Sequence, residues 1–84
     1  MKIDSAIKDA VLELKKNKII SARLDSELLM SKVIKKDRDF IILNSDEILK
    51  KKDYSHFKKL INERLKGKPI AYLTGKKDFW KYEF

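Results

Sequence analysis

Apolar residues near the start of the chain recur at the spacing of one helical face. Asp4 or Ser5 is expected to cap this helix, because either side chain can accept from an exposed backbone N–H. Three lysines crowd its end, where cations complement the helix dipole, and Asn17 is expected to take a left-handed turn. The pattern predicts an amphipathic helix whose buried face consists of Ile3, Ala6, Ile7, Ala10, Val11 and Leu14.

A second helix is predicted from Ser21 to about Ile34. At about 100° per residue, its apolar side chains cover about half of the helix circumference. A surface helix needs a narrower stripe, so this helix is predicted to be central and packed on two sides. On the same projection Asp25 falls between Leu28 and Leu29, inside the apolar arc. The arc also contains Ala22, Leu24 and Val33.

A short third helix follows, with Asp37 as its expected N-terminal cap. It carries the apolar run 40–43 and is expected to end at Asn44-Ser45-Asp46. The same three residues can start another turn, around Ile48 and Leu49.

A longer fourth helix is predicted after the lysine run 50–52, capped by Asp53. Gly67 is expected to end it in a left-handed conformation, and Pro69 prevents its continuation. Pro69 is also suited to the first position of a short final helix over 70–73, which Gly75 closes. The inward side chains of the fourth helix are expected to be Tyr54, Phe57, Leu60, Ile61 and Leu65.

The spacing of the apolar residues changes from a helical period to a period of two near the end of the chain. From Asp78 to Phe84, aromatic residues alternate with others, which is typical of a strand. A lone strand leaves its backbone groups without partners, so this strand is expected to lead into a further domain of a longer protein. Phe79 and Trp80 are expected to pack against the last helix and to form part of the seam with that domain. The pattern therefore predicts an all-α fold, a small bundle of about five helices over 1–76, followed by a linker strand over 77–84.

Composition narrows the possible functions. The chain has 84 residues, no Cys, two Gly, one Pro and one His. It is one small domain without disulfides or a thiolate zinc site, and it lacks a glycine-rich phosphate loop. No apolar run is long enough to cross a membrane, and the start has no signal-peptide core, so a cytoplasmic location is expected.

Charge is concentrated in the second half of the chain. Residues 1–47 carry a net charge of +1, and residues 48–84 carry +7. A basic half is suited to nucleic acid, to an acidic partner or to an acidic neighbouring domain, although lysine runs are most often only a solvated face. Of the 21 cations 18 are Lys, whereas nucleic-acid contacts favour Arg, so nucleic acid is not the expected partner. The lysines considered as partner contacts are Lys50, Lys51, Lys52, Lys58 and Lys59.

Few residues indicate chemistry. His56 has no recognisable catalytic partner and is expected to be an ordinary surface or half-buried helix residue. Asp25 is more informative, because a carboxylate inside an apolar arc must be paired or hydrogen-bonded. Its expected partners are backbone N–H groups at the start of a neighbouring helix, or the Tyr72 hydroxyl. A role of Asp25 in ligand or partner contact is the alternative.

Three segments resemble the release factor glutamine methyltransferases of the HemK/PrmC family. Ala22–Leu29 (ARLDSELL) is similar to a signature near the start of that family, and Arg64–Gly75 (RLKGKPIAYLTG) and Lys77–Phe84 (KDFWKYEF) to two further motifs. They occur in the order and spacing of the family and span almost the whole chain. Two positions depart from the family pattern: Lys68 replaces a common Glu, and Lys81 replaces a common Gly.

The resemblance implies an N-terminal helical bundle, a β-hairpin linker whose first strand is 77–84, and a Rossmann-like domain outside this chain. Such enzymes transfer a methyl group from S-adenosylmethionine to the Gln side-chain nitrogen of the Gly-Gly-Gln motif in peptide chain release factors. The family's Asn-Pro-Pro-Tyr signature is absent here. Catalytic and cofactor-binding residues are therefore expected elsewhere, and this part is expected to dock the release factor. A free-standing basic helical module that binds RNA or DNA is the alternative.

Overall fold

The computed structural model describes residues 1–74, which form a bundle of five helices. This confirms the predicted all-α class. The predicted strand, Phe79, Trp80 and Gly75 lie outside the described residues. The helices are α1 (Ile3–Lys16), α2 (Ala22–Ile34), α3 (Arg38–Leu43), α4 (Lys51–Leu65) and α5 (Ile70–Thr74).

One hydrophobic core joins the helices. Helix α2 packs against α1, α3, α4 and α5, which confirms its predicted central position. Leu24 is wrongly placed by the predicted arc, because its side chain is 42% exposed. The buried face of α2 lies further round the helix, over Ala22, Leu29 and Val33. The largest fully buried apolar side chains of the core are Leu14, Leu29, Met30, Ile41 and Phe57.

The start of α1 is capped by a distant loop. Neither Asp4 nor Ser5 is the cap, since the N-cap residue is Lys2 and no side chain satisfies the first amides. Instead the Ile3 N–H donates to the Glu47 carbonyl and the Asp4 N–H to the Ser45 carbonyl, each at 3.0 Å. Backbone carbonyls from the α3–α4 connection thus satisfy donors that a helix start leaves free.

This capping explains why the turn predicted around Ile48 and Leu49 is wrong. Ile48 pairs with Lys2 in an isolated antiparallel bridge, and the Leu49 N–H donates to the Met1 carbonyl at 2.7 Å. The segment is extended because it lies alongside the start of the chain. Leu49 is thereby buried in the core.

The end of α1 also differs from the prediction by one residue. Asn17 has φ −97°, and its side-chain amide donates to the Glu13 carbonyl at 2.9 Å. Lys18, with φ 62°, takes the left-handed conformation instead. The Asn17 side chain hydrogen-bonds to the last turn of the helix, and the left-handed residue that ends the turn is the next one, Lys18.

Helix α3 begins as predicted. The Asp37 carboxylate accepts from the Phe40 N–H at 2.9 Å. Within this short helix Ile41 is buried, whereas Ile42 and Leu43 are exposed.

Helix α4 begins three residues earlier than predicted, so the prediction of Asp53 as its N-cap residue is wrong. Lys50 is its N-cap residue, and Asp53 lies inside the first turn, where its negative charge complements the helix dipole. Phe57 and Ile61 are buried as predicted. Tyr54, Leu60 and Leu65 are half-buried and pack against the core.

The end of α4 confirms the glycine prediction. Gly67 has φ +101°, its N–H donates to the Arg64 carbonyl at 3.0 Å, and the Lys68 N–H donates to the Glu63 carbonyl at 3.3 Å. These two bonds form a Schellman motif, which needs a left-handed residue at this position. Helix α5 then starts one residue after Pro69, whose carbonyl accepts from the Tyr72 and Leu73 N–H groups at 3.1 and 3.3 Å.

Candidate docking face and buried ion pairs

The described residues place no cluster of side chains suited to holding a metal ion. His56 is exposed on α4. Within residues 1–74, no group of three or more His, Cys, Asp or Glu side chains is placed to hold a metal ion. No helix in this part of the chain has the length and apolar character needed to span a bilayer.

A shallow groove lies between α1 and α4. Its floor is apolar and includes Ala10 and Phe57, while its rim carries Glu13 from α1 and Lys58 from α4. Because the rim carries both positive and negative side chains, its charge does not indicate whether a ligand would be acidic or basic.

The lysines singled out in the sequence lie together on α4. Lys50 is the N-cap residue, and the other four are exposed along the helix. At about 100° per residue, these four and Lys66 span roughly 120° of the helix circumference. We call this surface the lysine face, which consists of Lys51, Lys52, Lys58, Lys59 and Lys66.

Few carboxylates form ion pairs with the lysine face. Among residues 1–74, Lys66 pairs with Glu63 at 3.5 Å, and no carboxylate pairs with the other four lysines. The Lys58 ammonium lies 5.6 Å from the centre of the Tyr54 ring, a cation–π arrangement. The face therefore presents a positive field to solvent.

Lys68, which departs from the family pattern, has a local partner. Its ammonium contacts the Glu63 carboxylate at 2.7 Å and lies 5.7 Å from the centre of the Tyr72 ring. The hydrogen bond from Lys68 lowers the pKa of Glu63 below its ordinary value, and the same bond raises the pKa of Lys68. This pair links the last turn of α4 to the start of α5.

Asp25 is buried and paired, as the sequence predicts, but with different partners. Its side chain is 2% exposed, and its Oδ2 accepts from Arg64 Nε at 2.9 Å and from the Ser21 hydroxyl at 3.0 Å. The Tyr72 hydroxyl is not a partner, since Tyr72 is 70% exposed. The charge of a distant arginine therefore offsets the burial of this carboxylate.

Arg64 has a second bond. Its Nη1 donates to the Lys68 carbonyl at 3.2 Å, while its Nε is bonded to Asp25. One guanidinium therefore connects α2, α4 and the turn that leads into α5.

A second buried carboxylate, Glu27, was missed by the sequence reasoning. Its Oε1 accepts from Arg38 Nε and Nη2 at 3.1 and 2.8 Å, and its Oε2 accepts from Arg23 Nε at 2.8 Å. The apolar arc did not include Glu27, so the projection gave no reason to consider it. The scarcity of arginine was the signal that could have indicated buried ion pairs. The chain has only three arginines among its 21 cations, and all three bind these two carboxylates. Arg is suited to this role, since its planar guanidinium loses hydration more readily than a lysine ammonium.

Comparison with known families places these contacts in context. The sequence profile described as the PrmC N-terminal domain matches residues 5–75. The chain belongs to the PrmC N-terminal domain family. Within the PrmC-like segments, Asp25 lies in Ala22–Leu29 and Arg64 begins the second motif, so their bond joins the two.

Relatives of known name agree with this membership. The chain is 42% identical over 81 residues to a release factor glutamine methyltransferase of Buchnera aphidicola subsp. Acyrthosiphon pisum, covering 95% of the chain and 28% of that protein. It is 38% identical over 82 residues to the enzyme of that name from Clostridium botulinum, covering 93% of the chain and 29% of that protein. A bifunctional methyltransferase of Rickettsia conorii is 38% identical over 82 residues, covering 98% of the chain and 16% of that protein.

The chain spans less than a third of the length of each of these relatives. No solved structure gives a significant match to it.

Proposed function

We propose that this chain is the N-terminal domain of an S-adenosylmethionine-dependent methyltransferase that modifies the Gln of the Gly-Gly-Gln motif in peptide chain release factors. The observation that carries the proposal is the match of residues 5–75 to the PrmC N-terminal domain, supported by relatives named release factor glutamine methyltransferase. In this proposal the present residues dock the release factor, and a further domain carries out methyl transfer. The protein acts in the cytoplasm, in translation termination.

S-adenosylmethionine is assigned to that further domain. Rossmann-like domains hold such cofactors with a glycine-rich turn between a strand and a helix. Within residues 1–74 there is no strand, and Gly67, the single glycine, ends a helix. These residues therefore do not fit the cofactor, and no catalytic step is assigned to them.

The lysine face supports the docking role. An amide nitrogen is a weak nucleophile, so the enzyme must hold its substrate in a defined position. Contacts remote from the reacting atom can supply the binding energy that this positioning requires. A surface whose lysines are mostly not paired with carboxylates attracts an acidic protein surface over a distance and increases the association rate. We therefore assign the lysine face as the docking surface for an acidic region of the release factor.

A salt series tests this assignment. The association rate of the full-length protein with a release factor is measured as ionic strength rises, with the lysine face residues Lys51, Lys52, Lys58, Lys59 and Lys66 changed to Gln. The expected result is a lower rate at low salt and a much shallower dependence on salt, because long-range attraction is screened by ions. A slope equal to that of the wild type contradicts the electrostatic role.

A matched control removes the same charge from the opposite half of the chain. Lys15, Lys16, Lys18, Lys32 and Lys35 are also exposed and are changed to Gln in this control. The control is expected to keep a slope closer to that of the wild type. An equal loss in both variants indicates an effect of net charge alone.

The same lysine face favours one alternative function, binding of RNA or DNA by a free-standing module. A titration of the 84-residue chain with structured RNA and with duplex DNA separates the two. Strong binding that weakens steeply with salt supports the alternative, because released counterions dominate such complexes. Weak binding, together with transfer of a methyl group to the release factor Gln by the full-length protein, supports the proposed function.

A further inference from the structure

The turn between α4 and α5 is held to the end of α4 by the Schellman motif and by the Glu63–Lys68 ion pair. Gly67, at φ +101°, has no atom within 4 Å of where a Cβ would lie, so no side chain packs against this turn at that position. Helix α5 has five residues, too few for a helix to be stable by itself. Its position must therefore come from tertiary contacts.

Two kinds of contact hold α5. Leu73 and Thr74 are buried against the bundle, which holds the helix down. Apolar packing is not directional, however, and it tolerates rotation better than a hydrogen bond does. The contact that ties this turn to α2 is Arg64, whose Nη1 donates to the Lys68 carbonyl while its Nε is bonded to Asp25.

Arg64 joins this carbonyl to α2 through one rigid group. The Nε and Nη1 atoms belong to the same planar guanidinium, so their hydrogen-bond directions are fixed relative to each other. Nε is held by the buried Asp25 on α2, and the Arg64 side chain is 20% exposed. The Lys68 carbonyl is therefore held in a defined orientation relative to the centre of the bundle.

The orientation of the Lys68 carbonyl sets the direction of the chain beyond it. The next residue is Pro69, whose ring restricts φ to about −65°. The Pro69 carbonyl then accepts the first amides of α5. The backbone dihedral angles between the Lys68 carbonyl and α5 are thus restricted. A rotation of the Lys68 carbonyl should therefore change the orientation of α5.

We infer that Arg64 is a positioning residue that sets the orientation of α5 relative to α2 and α4. Its consequence for catalysis rests on the proposed function. In that case Arg64 orients the docking surface relative to the domain that transfers the methyl group. A buried ion pair is weak as a source of stability, but it can specify one arrangement among several.

The structure supplies a matched control in Arg38. It too binds a buried carboxylate of α2, Glu27, but it joins α2 to the start of α3. Substitutions at Arg38 remove an arginine–carboxylate contact of α2 without touching the turn after α4. A general loss of bundle stability should therefore affect the Arg64 and Arg38 variants alike. A change in the orientation of α5 should appear in the Arg64 variants alone.

The experiment measures the orientation of α5 directly. Residual dipolar couplings of backbone N–H groups are recorded in the 84-residue chain for the wild type, Arg64→Lys, Arg64→Gln and Arg38→Gln. In the wild type and Arg38→Gln, the couplings of α5 are expected to fit the same alignment as those of α2 and α4. In both Arg64 variants they are expected to deviate, even though Arg64→Lys keeps the charge. If Arg64→Gln fails to fold, Asp25→Asn is used, which retains the size of the side chain.

A folded Arg64 variant whose α5 couplings still fit the bundle alignment overturns the inference. Equal deviation in Arg38→Gln also overturns it, because a loss of stability is then sufficient to reorient α5.

The catalytic consequence is tested separately in the full-length protein. Arg64→Gln is expected to reduce kcat for release factor methylation roughly ten- to a hundredfold, since small misplacements of reacting groups are costly. KM is expected to change little, because the lysine face is intact. Unchanged kcat in Arg64→Gln contradicts the catalytic consequence. If the wild type transfers no methyl group, the proposed function fails, while the couplings still decide the role of Arg64 in orienting α5.

Discussion

Helix α2 buries two carboxylates, and their surroundings differ in a useful way. Asp25 is paired with Arg64, which lies 39 residues later in the chain and is 20% exposed. Glu27 is paired with Arg23 and Arg38, at separations of four and eleven residues, and these side chains are 58% and 47% exposed. The first pair is a dry tertiary link, and the second is a local cluster open to water. We therefore expect them to respond differently to substitution.

The largest effect is expected from Arg64→Ala. It leaves Asp25 buried without a charge partner, which typically costs about 3–5 kcal/mol, and the partial exposure of Arg64 favours the lower end. Asp25→Ala is expected to lower the thermal midpoint too, but by less, because Arg64 can turn towards water. Urea unfolding of the two variants provides the measurement. A loss below about 1 kcal/mol for Arg64→Ala contradicts the dry tertiary link.

A smaller effect is expected from Arg38→Ala. Glu27 keeps its bond to Arg23, and both arginines are largely solvated, so the free energy of unfolding should fall by only about 1 kcal/mol. The same urea titration gives the value. If Arg38→Ala costs as much as Arg64→Ala, exposure does not distinguish the two sites.

A still smaller change in stability is expected when both partners of the dry pair become apolar. Replacing a buried ion pair by hydrophobic residues of similar size is often neutral or stabilising. The double variant Asp25→Leu with Arg64→Met should therefore unfold within about 1 kcal/mol of the wild type. Its α5 should nevertheless lose the wild-type orientation, which separates stability from positioning. A large loss of stability would show that the pair contributes more than the packing it replaces.

The smallest effect concerns Glu63 and Lys68, because the Glu63 carboxylate is 25% exposed, whereas those of Asp25 and Glu27 are 2% and 6% exposed. Because the pKa of Glu63 is lowered in the folded state, their contact stabilises the fold above the ordinary glutamate range and is lost as pH falls through the folded value. Because the pKa of Lys68 is raised, the contact is lost again as pH rises through that folded value. The thermal midpoint of Lys68→Gln should therefore lie slightly below that of the wild type near neutral pH, and the two should converge in acid. A constant difference at every pH contradicts the ion pair.

The sequence predicted the features that depend on neighbouring residues. The period of α1, the Asp37 cap and the left-handed Gly67 follow from side chains within one or two turns of each other. Each requires only local geometry, so a single sequence is sufficient to identify it.

Two of the features that the sequence did not predict depend on distant residues, whereas the misplaced left-handed residue after α1 and the start of α4 are local errors. The carbonyls of Ser45 and Glu47 replace the expected side-chain cap of α1, and nothing near Asp4 indicates this. The pairing of Asp25 with Arg64 has the same origin, since burial required a partner but did not say which. The lysines of α4 are exposed in the structure, and their role as partner contacts stays a prediction.

The contacts of the first residues have a practical consequence for protein production. Met1 and Lys2 lie against Ile48 and Leu49, and the Ile3 amide is capped from the same connection. Deletion of these residues would remove the backbone contacts that hold the start of α1 to the connection between α3 and α4. That connection leads directly into α4, which carries the lysine face. An affinity tag is therefore better joined through a flexible spacer that leaves this edge intact.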